Sequence, residues 1–458
     1  MLSVIGFALL LTACAAPAPS PTQEEVVEQA LPETTDIALE WSRIVSEGSV
    51  KGGWLATFKD DKLEQIVTEV LQNNRGLAAA SANLDIAAGL ATQAGARLLP
   101  AVSVGGSSQS TARGSSNTNI AGVALNVQWE LDVWGRLRAG ASAAEESFRV
   151  TEADFEFARQ SLVAQTAKAW FLATEANLQK QLAEEAGKIY GQIVKIAQTR
   201  VKVGKAQQQD IFLAQADLAS AEERQRQTQS AFEQSVRSLE TMLGRYPSAE
   251  LEVPHKFIPV PPSIPVGIPA ELLERRPDLR AAERQVAAAF QRIHVAKAAK
   301  LPSLALTASG GGSSNELIDL IGASRGFFSL GANFLASFDV GGELQGQVEI
   351  ETAKQEAALA TYGNMALRAF NEIESALSNE VLMQERESLL ISAVENNESA
   401  LKVAETQYEF GQVDLLSVLQ MQTRVLNARI ALIRIKNARL AQRVDLHLAL
   451  GGSFIETN

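Results

Sequence analysis

The sequence has little of the residues that build metal centres or disulfides. A single Cys, Cys14, allows no intramolecular disulfide, and three His among 458 residues supply no cluster of imidazoles and thiolates for zinc. Basic residues are also in deficit, since 41 Lys and Arg stand against 53 Asp and Glu, a formal net charge of −12. This balance argues against a nucleic-acid partner, whose phosphates need a basic surface.

Long apolar runs and catalytic motifs are missing as well. After residue 20 no stretch reaches the roughly 18 consecutive apolar residues that a membrane-spanning helix needs. No phosphate-binding Gly-Lys-Ser/Thr loop and no His pair at helical spacing occurs. The nucleophile-elbow pattern Gly322 to Gly326 falls in a predicted loop of a β-hairpin, not between a strand and a helix. The sequence therefore predicts no enzymatic activity, no metal and no cofactor.

The N-terminus has the features of an export signal. An apolar stretch leads to Leu11-Thr12-Ala13-Cys14, which resembles the bacterial lipobox, where the signal is cleaved before Cys and the new terminus is acylated, for example with palmitate. Pro17 and Pro19 argue against the alternative, a Cys buried in an ordinary helix. We expect residues 1–13 to be a signal peptide and residues 14–40 to form a lipid anchor and tether.

Proline placement and internal repetition divide the rest of the chain. Eight of the 14 Pro lie between Pro247 and Pro277, and the flanking arms repeat each other. Residues from Leu77 match those from Leu279 at an offset of 202, and residues from Leu131 match those from Phe338 at an offset of 207. The predicted domains are repeat 1 (41–246), a Pro-rich connector (247–269) and repeat 2 (270–458).

Each repeat contains an alternating apolar and polar segment typical of a β-strand. Val123 to Val133 alternates cleanly, and Leu330 to Val340 does so with Leu335 as the exception. With a shorter strand before each, these segments predict hairpins at 101–133 and 303–340. The predicted loops are Gly105–Asn119 and Gly310–Arg325.

Two interpretations of these hairpins are open. They fit a half-buried soluble sheet, or transmembrane barrel strands of about 9–11 residues that face lipid on one side and a lumen on the other. Glu130, Asp132 and Asp339 on the polar face suit a hydrated lumen. Four strands cannot close a barrel, and an open edge is not tolerated in lipid, so a membrane role requires several chains to share one barrel.

The remaining segments are predicted to be long helices. Residues 136–203 and 342–410 would each reach roughly 100 Å at about 1.5 Å per residue. Each of these long helices is followed by a second helix with coiled-coil spacing. In the helix after residues 342–410, the predicted seam is Leu416, Leu419, Thr423, Leu426, Ile430, Ile433, Asn437, Leu440 and Val444. The helices meet at turns where Gly204 and Gly411 adopt the left-handed conformation. Five other glycines are predicted to interrupt or bend the helices: Gly140, Gly187, Gly191, Gly346 and Gly363.

Several short motifs in a fixed order resemble the outer-membrane factors of bacterial tripartite efflux pumps, the TolC-like channel proteins. They cover nearly all of the chain beyond residue 40, and both repeats contribute. The motifs are Trp54–Leu63, Gln72–Asn74, Ala96–Pro100, Trp129–Arg136, Gly244–Pro247 and Leu272–Leu279.

The resemblance implies a mainly α fold with a membrane β-barrel. Four strands per chain would form the 12-stranded outer-membrane barrel of a homotrimer, continued by an α-barrel of long antiparallel helices. It implies a lipid-anchored protein of the cell outer membrane that extends into the periplasm and passively conducts substrates of an inner-membrane pump. The implied partners are a periplasmic adaptor (membrane fusion) protein, an inner-membrane efflux transporter and outer-membrane lipid. The sequence does not identify the cargo.

In this family the helical turns farthest from the membrane form the closed entrance. The resemblance assigns that periplasmic tip to Gly204, Asp210, Gly411, Asp414, Leu416, Leu419 and Gln420. Closure by acidic residues and closure by apolar contact both remain open. A coiled-coil seam is the alternative for the two Leu, and a helix cap is the alternative for Asp210.

The lipid-facing residues of the barrel are predicted from the alternation. They are Val123, Leu125, Val127, Trp129, Leu131, Leu330, Phe334 and Phe338. Trp129, Trp134, Phe334 and Phe338 are expected to face lipid or its interface, with core packing as the alternative. The alternative function is a periplasmic adaptor or scaffold lipoprotein that uses its helical hairpins for protein contacts without a pore. Duplicated barrel-type hairpins argue against it.

Overall fold

The computed structural model describes residues 19–32, 34–35, 37–38, 40–42, 52–113, 116–314 and 325–455. The helices within this part are α1 (Gln23–Ala30), a short 3₁₀ helix (Trp54–Phe58), α2 (Asp61–Asn73), α3 (Arg75–Ala96), α4 (Arg136–Lys202), α5 (Gln208–Met242), α6 (Pro269–Arg275), α7 (Pro277–Ala299), α8 (Glu343–Glu409) and α9 (Leu415–Ala449). The strands are β1 (Ala101–Arg113), β2 (Ser116–Leu131), β3 (Ser303–Ser314) and β4 (Arg325–Leu335). No helix of the described chain is both long and apolar enough to cross a membrane.

The four strands form one antiparallel sheet in the order β1-β2-β3-β4. Val102 pairs with Val127 in the first hairpin, and Leu304 pairs with Phe334 in the second. These pairs differ by 202 on the first strand and by 207 on the second, which are the two offsets found in the sequence. The two hairpins therefore have the same register.

The first hairpin extends well into its predicted loop. β1 continues to Arg113 and β2 starts at Ser116, so most of the segment Gly105–Asn119 is strand, and the loop prediction is wrong there. The Gly and Ser residues that suggested a loop are paired by backbone hydrogen bonds, which do not depend on side-chain type. In the second hairpin β3 runs through Ser314, and residues 315–324, which include most of the nucleophile-elbow pattern, lie outside the described residues.

The second long strand ends earlier than its alternation predicts. β4 stops at Leu335, which pairs with Ser303 at the start of β3. Pro302 precedes Ser303 and has no N–H to continue the ladder. The segment Ala336–Val340 is therefore not a strand, and the prediction of Phe338 as a strand residue is wrong.

The long helices have nearly the predicted bounds. α4 and α8 are each 67 residues, and both run through the glycines predicted to interrupt them. Gly363 allows close packing and does not interrupt α8, because a Cβ at that position would clash with the carbonyl oxygen of Ala30.

Helix α1 lies within the predicted tether. A capping box starts it, in which Thr22 N–H donates to Glu25 Oε2 (2.8 Å) and Glu25 N–H donates to Thr22 Oγ1 (3.3 Å). Val26 is 1% exposed and packs against Val286 of α7 and Tyr362 of α8. Part of the segment 14–40 is therefore docked structure, while Cys14 lies outside the described residues.

The chain divides into two compact units, each of which takes segments from both repeats. Unit 1 holds the described parts of Met1–Asp36, Ser81–Phe155 and Asp278–Ala366, and unit 2 holds those of Ile37–Ala80, Glu156–Pro277 and Leu367–Asn458. Unit 1 contains the sheet. Unit 2 has an aromatic-rich core that includes Trp54, Phe58, Trp170 and Phe171.

Candidate functional surfaces: the sheet faces and the helical turns

One face of the sheet is apolar across all four strands. Directly opposite residues in a register share a face, and Val104, Leu125 and Gly310 follow each other across β1, β2 and β3. Most side chains on this apolar face are exposed, for example Val104 and Leu330 at 72%. By register it comprises Val102, Val104, Val123, Leu125, Val127, Trp129, Leu131, Leu304, Leu306, Ala308, Phe328, Leu330, Ala332 and Phe334. A water-soluble domain rarely leaves so large an apolar surface uncovered.

The opposite face is made of small and uncharged polar residues along most of its length. Asn126 lies opposite both Ser103 and Ser309, and Asn333 lies opposite Ala305. We call this surface the polar face. The sheet is therefore amphipathic, and the outer edges of β1 and β4 have no strand partner within the described chain.

Seven of the eight residues predicted to face lipid lie on the apolar face. Phe338 is the exception, since it follows the end of β4 by three residues and is 86% exposed. Two indoles mark the end of the sheet from which the helices continue. Trp129 Nε1 donates to the carbonyl of Leu98 (3.0 Å), and Trp134 Nε1 donates to that of Pro302 (2.7 Å).

Asp132 and Asp339 begin the long helices rather than line a strand face. The Asp132 carboxylate accepts from the N–H of Leu137 (2.8 Å) and of Arg138 (2.9 Å) at the start of α4. Asp339 accepts from the N–H of Leu344 (3.1 Å) and of Gln345 (2.8 Å) at the start of α8. Their predicted place on a strand face is therefore wrong, because both strands end before them.

The electrostatics of Asp132 follow from these bonds. Burial alone would raise the pKa of Asp132, but the two backbone N–H groups and the Arg138 guanidinium stabilise the anion and hold the pKa below its usual value. Arg138 Nε lies 2.9 Å from Asp132 Oδ2, and Arg136 lies 2.6 Å from Glu130 Oε1. The carboxylates at the foot of β2 are thus neutralised within the chain.

The two helical turns have the same backbone geometry. Gly204 (φ 72°) and Gly411 (φ 74°) follow α4 and α8 in the left-handed conformation, as the sequence predicts. Lys205 N–H donates to Arg200 O, and Gln412 N–H donates to Gln407 O, both at 2.8 Å. These are the bonds of a Schellman-type helix end.

Both acidic residues predicted at the tip form helix caps. Asp210 Oδ2 accepts from Gln207 N–H (3.2 Å) at the start of α5. Asp414 Oδ1 accepts from the N–H (2.9 Å) and hydroxyl (2.7 Å) of Ser417 at the start of α9, which lowers the pKa of Asp414. Gln420 is exposed on the same helix.

The two Leu predicted at the tip lie in different environments. Leu419 is 3% exposed and packs in a cluster with Leu415 and Tyr190, whereas Leu416 is 45% exposed. Leu419 is thus a seam residue, and Leu415 takes the seam position that the coiled-coil spacing gives to Leu416. A helix buries neighbours three and four apart, and the stripe of α9 starts one residue earlier than predicted.

One contact at these turns is not predicted by the sequence. The Arg200 guanidinium lies 4.1 Å from the centre of the Tyr408 ring, and Nη1 donates to Tyr408 O (2.8 Å). The contact joins the end of α4 to the end of α8, beside a cavity of about 530 Å³ that Ile196, Lys205 and Glu409 help to line. Arg200 lies within Thr199–Gly204 and Tyr408 within Thr406–Gly411, two segments that match at the offset of 207. Their repetition is the sequence signal that marks the region.

No group of three or more His, Cys, Asp or Glu among the described residues is arranged to hold a metal ion.

Comparisons with known proteins agree on one kind of molecule. A family model described as outer membrane efflux protein matches residues 66–245 and 268–452. Toluene efflux pump outer membrane protein TtgC of Pseudomonas putida is 29% identical over 414 residues, which are 88% of this chain and 86% of that protein. Pyoverdine export outer membrane protein OpmQ of Pseudomonas aeruginosa is 28% identical over 99% of this chain and 97% of its own length.

The solved structures agree with the family match. The crystal structure of the Campylobacter jejuni CmeC outer membrane channel superposes with a TM-score of 0.85 at 25% identity, covering 96% of each chain.

Proposed function

Because the chain belongs to the outer membrane efflux protein family, we propose that it forms the exit duct of a tripartite efflux system. The carrying observation is the amphipathic sheet, whose exposed apolar face suits lipid and whose polar face suits a water-filled lumen. The duct supplies no chemical step and no energy, so transport is driven by a partner. Acylation at Cys14, supported by the lipobox-like segment, would be detected as a mass increase on the N-terminal peptide.

We further propose that three chains share one barrel. The described sheet has four strands with two unpaired edges, and lipid does not tolerate open edges. Closure requires β4 of one chain to pair with β1 of the next. Between the repeats, Asn126 of β2 pairs with Ser309 of β3. The offset of 207 carries Asn126 to Asn333 on β4, and the offset of 202 carries Ser309 back to Ser107 on β1. The same register between chains therefore predicts that Asn333 of one chain pairs with Ser107 of its neighbour.

A cross-link tests both the trimer and its register. The double variant Ser107→Cys/Asn333→Cys, made in a chain whose native lipidation is kept, should form covalent trimers on oxidation. Each single variant is the matched control and should not. Efficient cross-linking only with partners shifted by two residues would contradict the register, and the absence of any intermolecular cross-link would contradict the shared barrel.

We propose that the turns after α4 and α8 form the periplasmic entrance, where the adaptor docks. The Arg200 contact with Tyr408 supports this, because it ties the ends of the two outbound helices together and so opposes opening. The predicted gate residues with exposed side chains are Asp414, Leu416 and Gln420. Asp210 and Asp414 already cap helices, so closure by apolar contact of Leu416 fits better than closure by an acidic ring.

Conductance in planar bilayers tests the duct. The purified protein should conduct rarely, and Arg200→Ala should open it more often. Lys202→Ala removes a neighbouring charge without this contact and serves as the control. A pure oligomer that never conducts, with or without Arg200→Ala, would favour the adaptor or scaffold alternative.

The cargo is proposed to be that of the inner-membrane pump. The two relatives differ in cargo, since one belongs to a toluene efflux pump and the other to pyoverdine export. Purification from the native membrane after mild cross-linking should recover an adaptor and an inner-membrane transporter. The transporter that is recovered identifies the substrate class.

A further inference from the structure

Three cations at the foot of the sheet have no ionic partner among the described residues. Arg97 follows α3 just before β1, while Lys297 and Lys300 lie at the end of α7 just before β3. All three residues are exposed, and within the described ranges no carboxylate lies within ion-pair distance of them. Lys300 Nζ donates only to the neutral Gln345 Oε1 (2.8 Å). We call these three residues the basic foot.

The carboxylates beside the strand ends do not neutralise the basic foot. Glu130 is engaged by Arg136 at 2.6 Å and Asp132 by Arg138 at 2.9 Å. Asp339 accepts the backbone N–H groups that start α8. In a chain whose net charge is −12, a patch of uncompensated positive charge is a local exception.

A groove with an apolar lining lies on the apolar face, and some of its residues follow those of the basic foot closely in sequence. It has a volume of about 480 Å³ and includes Pro100, three residues after Arg97, and Trp129. The groove continues over the small side chains of Ala308 and Ala332, which leave space between Leu306 and Leu330. Its lining is apolar apart from Thr307 and suits an acyl chain rather than a polar ligand.

Two indoles hold the connecting segments in place where the groove meets the basic foot. Trp129 is 37% exposed and Trp134 is 40% exposed, and their N–H groups bind the carbonyls of Leu98 and Pro302. Amphipathic indoles of this kind sit at the level of lipid headgroups. In a membrane-spanning sheet the groove would therefore lie on the hydrocarbon side of these indoles, and the cations on the headgroup side.

We propose that the groove and the basic foot together bind a phospholipid with an anionic headgroup in the inner leaflet of the outer membrane. One acyl chain occupies the groove, and the headgroup lies against Arg97, Lys297 and Lys300. The inference rests on the proposed function, which puts the helical end of the sheet on the periplasmic side. A zwitterionic lipid has the same tails but little net charge, so the cations confer the preference.

Quenching of tryptophan fluorescence by brominated lipids measures this preference. The full chain is reconstituted in vesicles of phosphatidylethanolamine and phosphatidylglycerol, with bromine on the acyl chains of one lipid at a time. Trp129 and Trp134 are half-exposed, whereas Trp41, Trp54 and Trp170 are buried. The quenched signal therefore reports the end of the sheet where the groove meets the basic foot. A juxtamembrane cation contributes about 1 kcal/mol toward anionic lipid, which is about a fivefold preference per residue.

We expect the wild type to prefer brominated phosphatidylglycerol, by up to about fivefold for each of the three cations. Arg97→Gln/Lys297→Gln/Lys300→Gln should bring the preference close to one, and Lys300→Gln alone should lower it by about fivefold or less. The matched control removes three exposed lysines from the helical arms, as Lys188→Gln/Lys195→Gln/Lys402→Gln, and should leave the preference unchanged. Equal quenching by both lipids in the wild type, or a preference that survives the first triple variant, would overturn the proposal.

Two further measurements distinguish a lipid site from a site for a free anion, and the lipid site from the duct. Inorganic phosphate at matched ionic strength should not abolish the preference, and if it does, the patch binds a free ion and the lipid proposal is wrong. Conductance of the wild type and of Arg200→Ala in the same vesicles tests the duct independently. A conducting channel without lipid preference would refute only the lipid site, and a lipid preference in a protein that conducts in neither form would refute only the duct.

Discussion

At the residue scale, Asp132 and Asp339 occupy equivalent places in the two repeats, where a strand ends and a 67-residue helix begins. Each accepts two backbone N–H groups that otherwise have no partner in the first turn of a helix. The alternating pattern places both on a strand because alternation does not reveal where a ladder ends. The end is set by the partner strand, which starts after Pro302 in the second hairpin.

Removing one cap should loosen the start of its helix. Asp132→Ala should destabilise the first turn of α4 by about 1 kcal/mol, since an N-cap side chain contributes about 0.5–2 kcal/mol. Hydrogen exchange at Leu137 and Arg138 should accelerate. Glu152→Gln, which removes the same charge from an exposed position of α4, should leave their exchange unchanged. Equal acceleration in both variants would contradict the cap.

The same cap predicts a pH dependence. The pKa of Asp132 lies below its usual value of 3.8 in the folded chain, so its contribution to stability is complete above pH of about 4. The contribution is lost as the pH falls through the folded-state pKa. Thermal unfolding followed by circular dichroism should show a smaller difference between wild type and Asp132→Ala at pH 3 than at pH 6.

His447 is a second residue with a testable titration. Its ring stacks on Trp54 at 5.4 Å, and neither ring nitrogen has a hydrogen-bond partner among the described residues. Burial, with a smaller effect of the Arg443 charge, lowers its pKa to about 3. Below about pH 6.5 the imidazole takes up a proton in the unfolded chain but not in the folded chain. The free energy of unfolding therefore decreases as the pH is lowered from about 6.5.

His447→Phe should remove this acid sensitivity. The variant is expected to gain about 1 kcal/mol at neutral pH because a buried unpaired polar group is lost. Its advantage over wild type should grow as the pH falls from 7 to 4. His294→Phe, at a half-exposed position, should show a smaller trend. A variant that loses stability at every pH would indicate that the imidazole has a partner in the assembled protein.

At the element scale, the turns after α4 and α8 depend on glycine. Gly204 and Gly411 have positive φ, so Ala at either position should cost about 1 kcal/mol although a Cβ meets nothing within 4 Å. Gly191, inside α4 and equally free of neighbours, is the control, and Gly191→Ala should stabilise the helix by about 0.5–1 kcal/mol. In chemical denaturation, the free energy of unfolding should decrease for the two turn variants and increase for Gly191→Ala.

The two faces of β2 can be distinguished with adjacent substitutions. Leu125 lies on the apolar face and Asn126 on the polar face. In reconstituted vesicles, a membrane-impermeant maleimide should label Asn126→Cys and spare Leu125→Cys, because thiolates form in water and not in hydrocarbon. Labelling of Leu125→Cys but not of Asn126→Cys would show that the apolar face, and not the polar face, is in contact with water.

The sequence predicts the two faces of the sheet better than its hairpin loops. Alternation with a period of two identifies a face wherever the residues are bulky, as in Val123 to Leu131. It fails in Gly105–Asn119, where Gly and Ser look like a loop although the backbone is paired. The Arg200 contact with Tyr408 is invisible for another reason, since it joins residues 208 positions apart.

At the scale of the whole molecule, repeats and compact units do not coincide. The repeats follow one another along the sequence, whereas each unit combines segments of both. Sequence comparison detects the repeats because they are continuous in the chain. The units arise only when equivalent segments pack side by side, and they therefore require the structure.

The connector is held by side chains of unit 2. Asn177 Nδ2 donates to Pro254 O (3.0 Å), Trp41 Nε1 donates to Val266 O (3.3 Å), and Arg443 binds Pro262 O. Residues 247–268 form no helix or strand. The connector therefore follows the surface of packed helices and contributes no element of its own.

A chain cut in the connector should still assemble. Co-expressed fragments 1–256 and 257–458, the second preceded by a copy of the export signal, are expected to form the same sheet. They should give cross-linked products when they carry Ser107→Cys and Asn333→Cys. Cutting inside α8 at Leu401 is the control and should abolish assembly, because it breaks a continuous helix. Failure of the first pair alone would show that the covalent link is needed for folding.

The identical register of the two hairpins has an evolutionary consequence. A shared barrel built from three such chains contains six hairpins with one pairing geometry, so a half-length ancestor could have built it as a hexamer. In such a fusion the two halves are free to differ. The two tips do differ, since Asp210 of the first repeat corresponds to Ser417 of the second at the offset of 207.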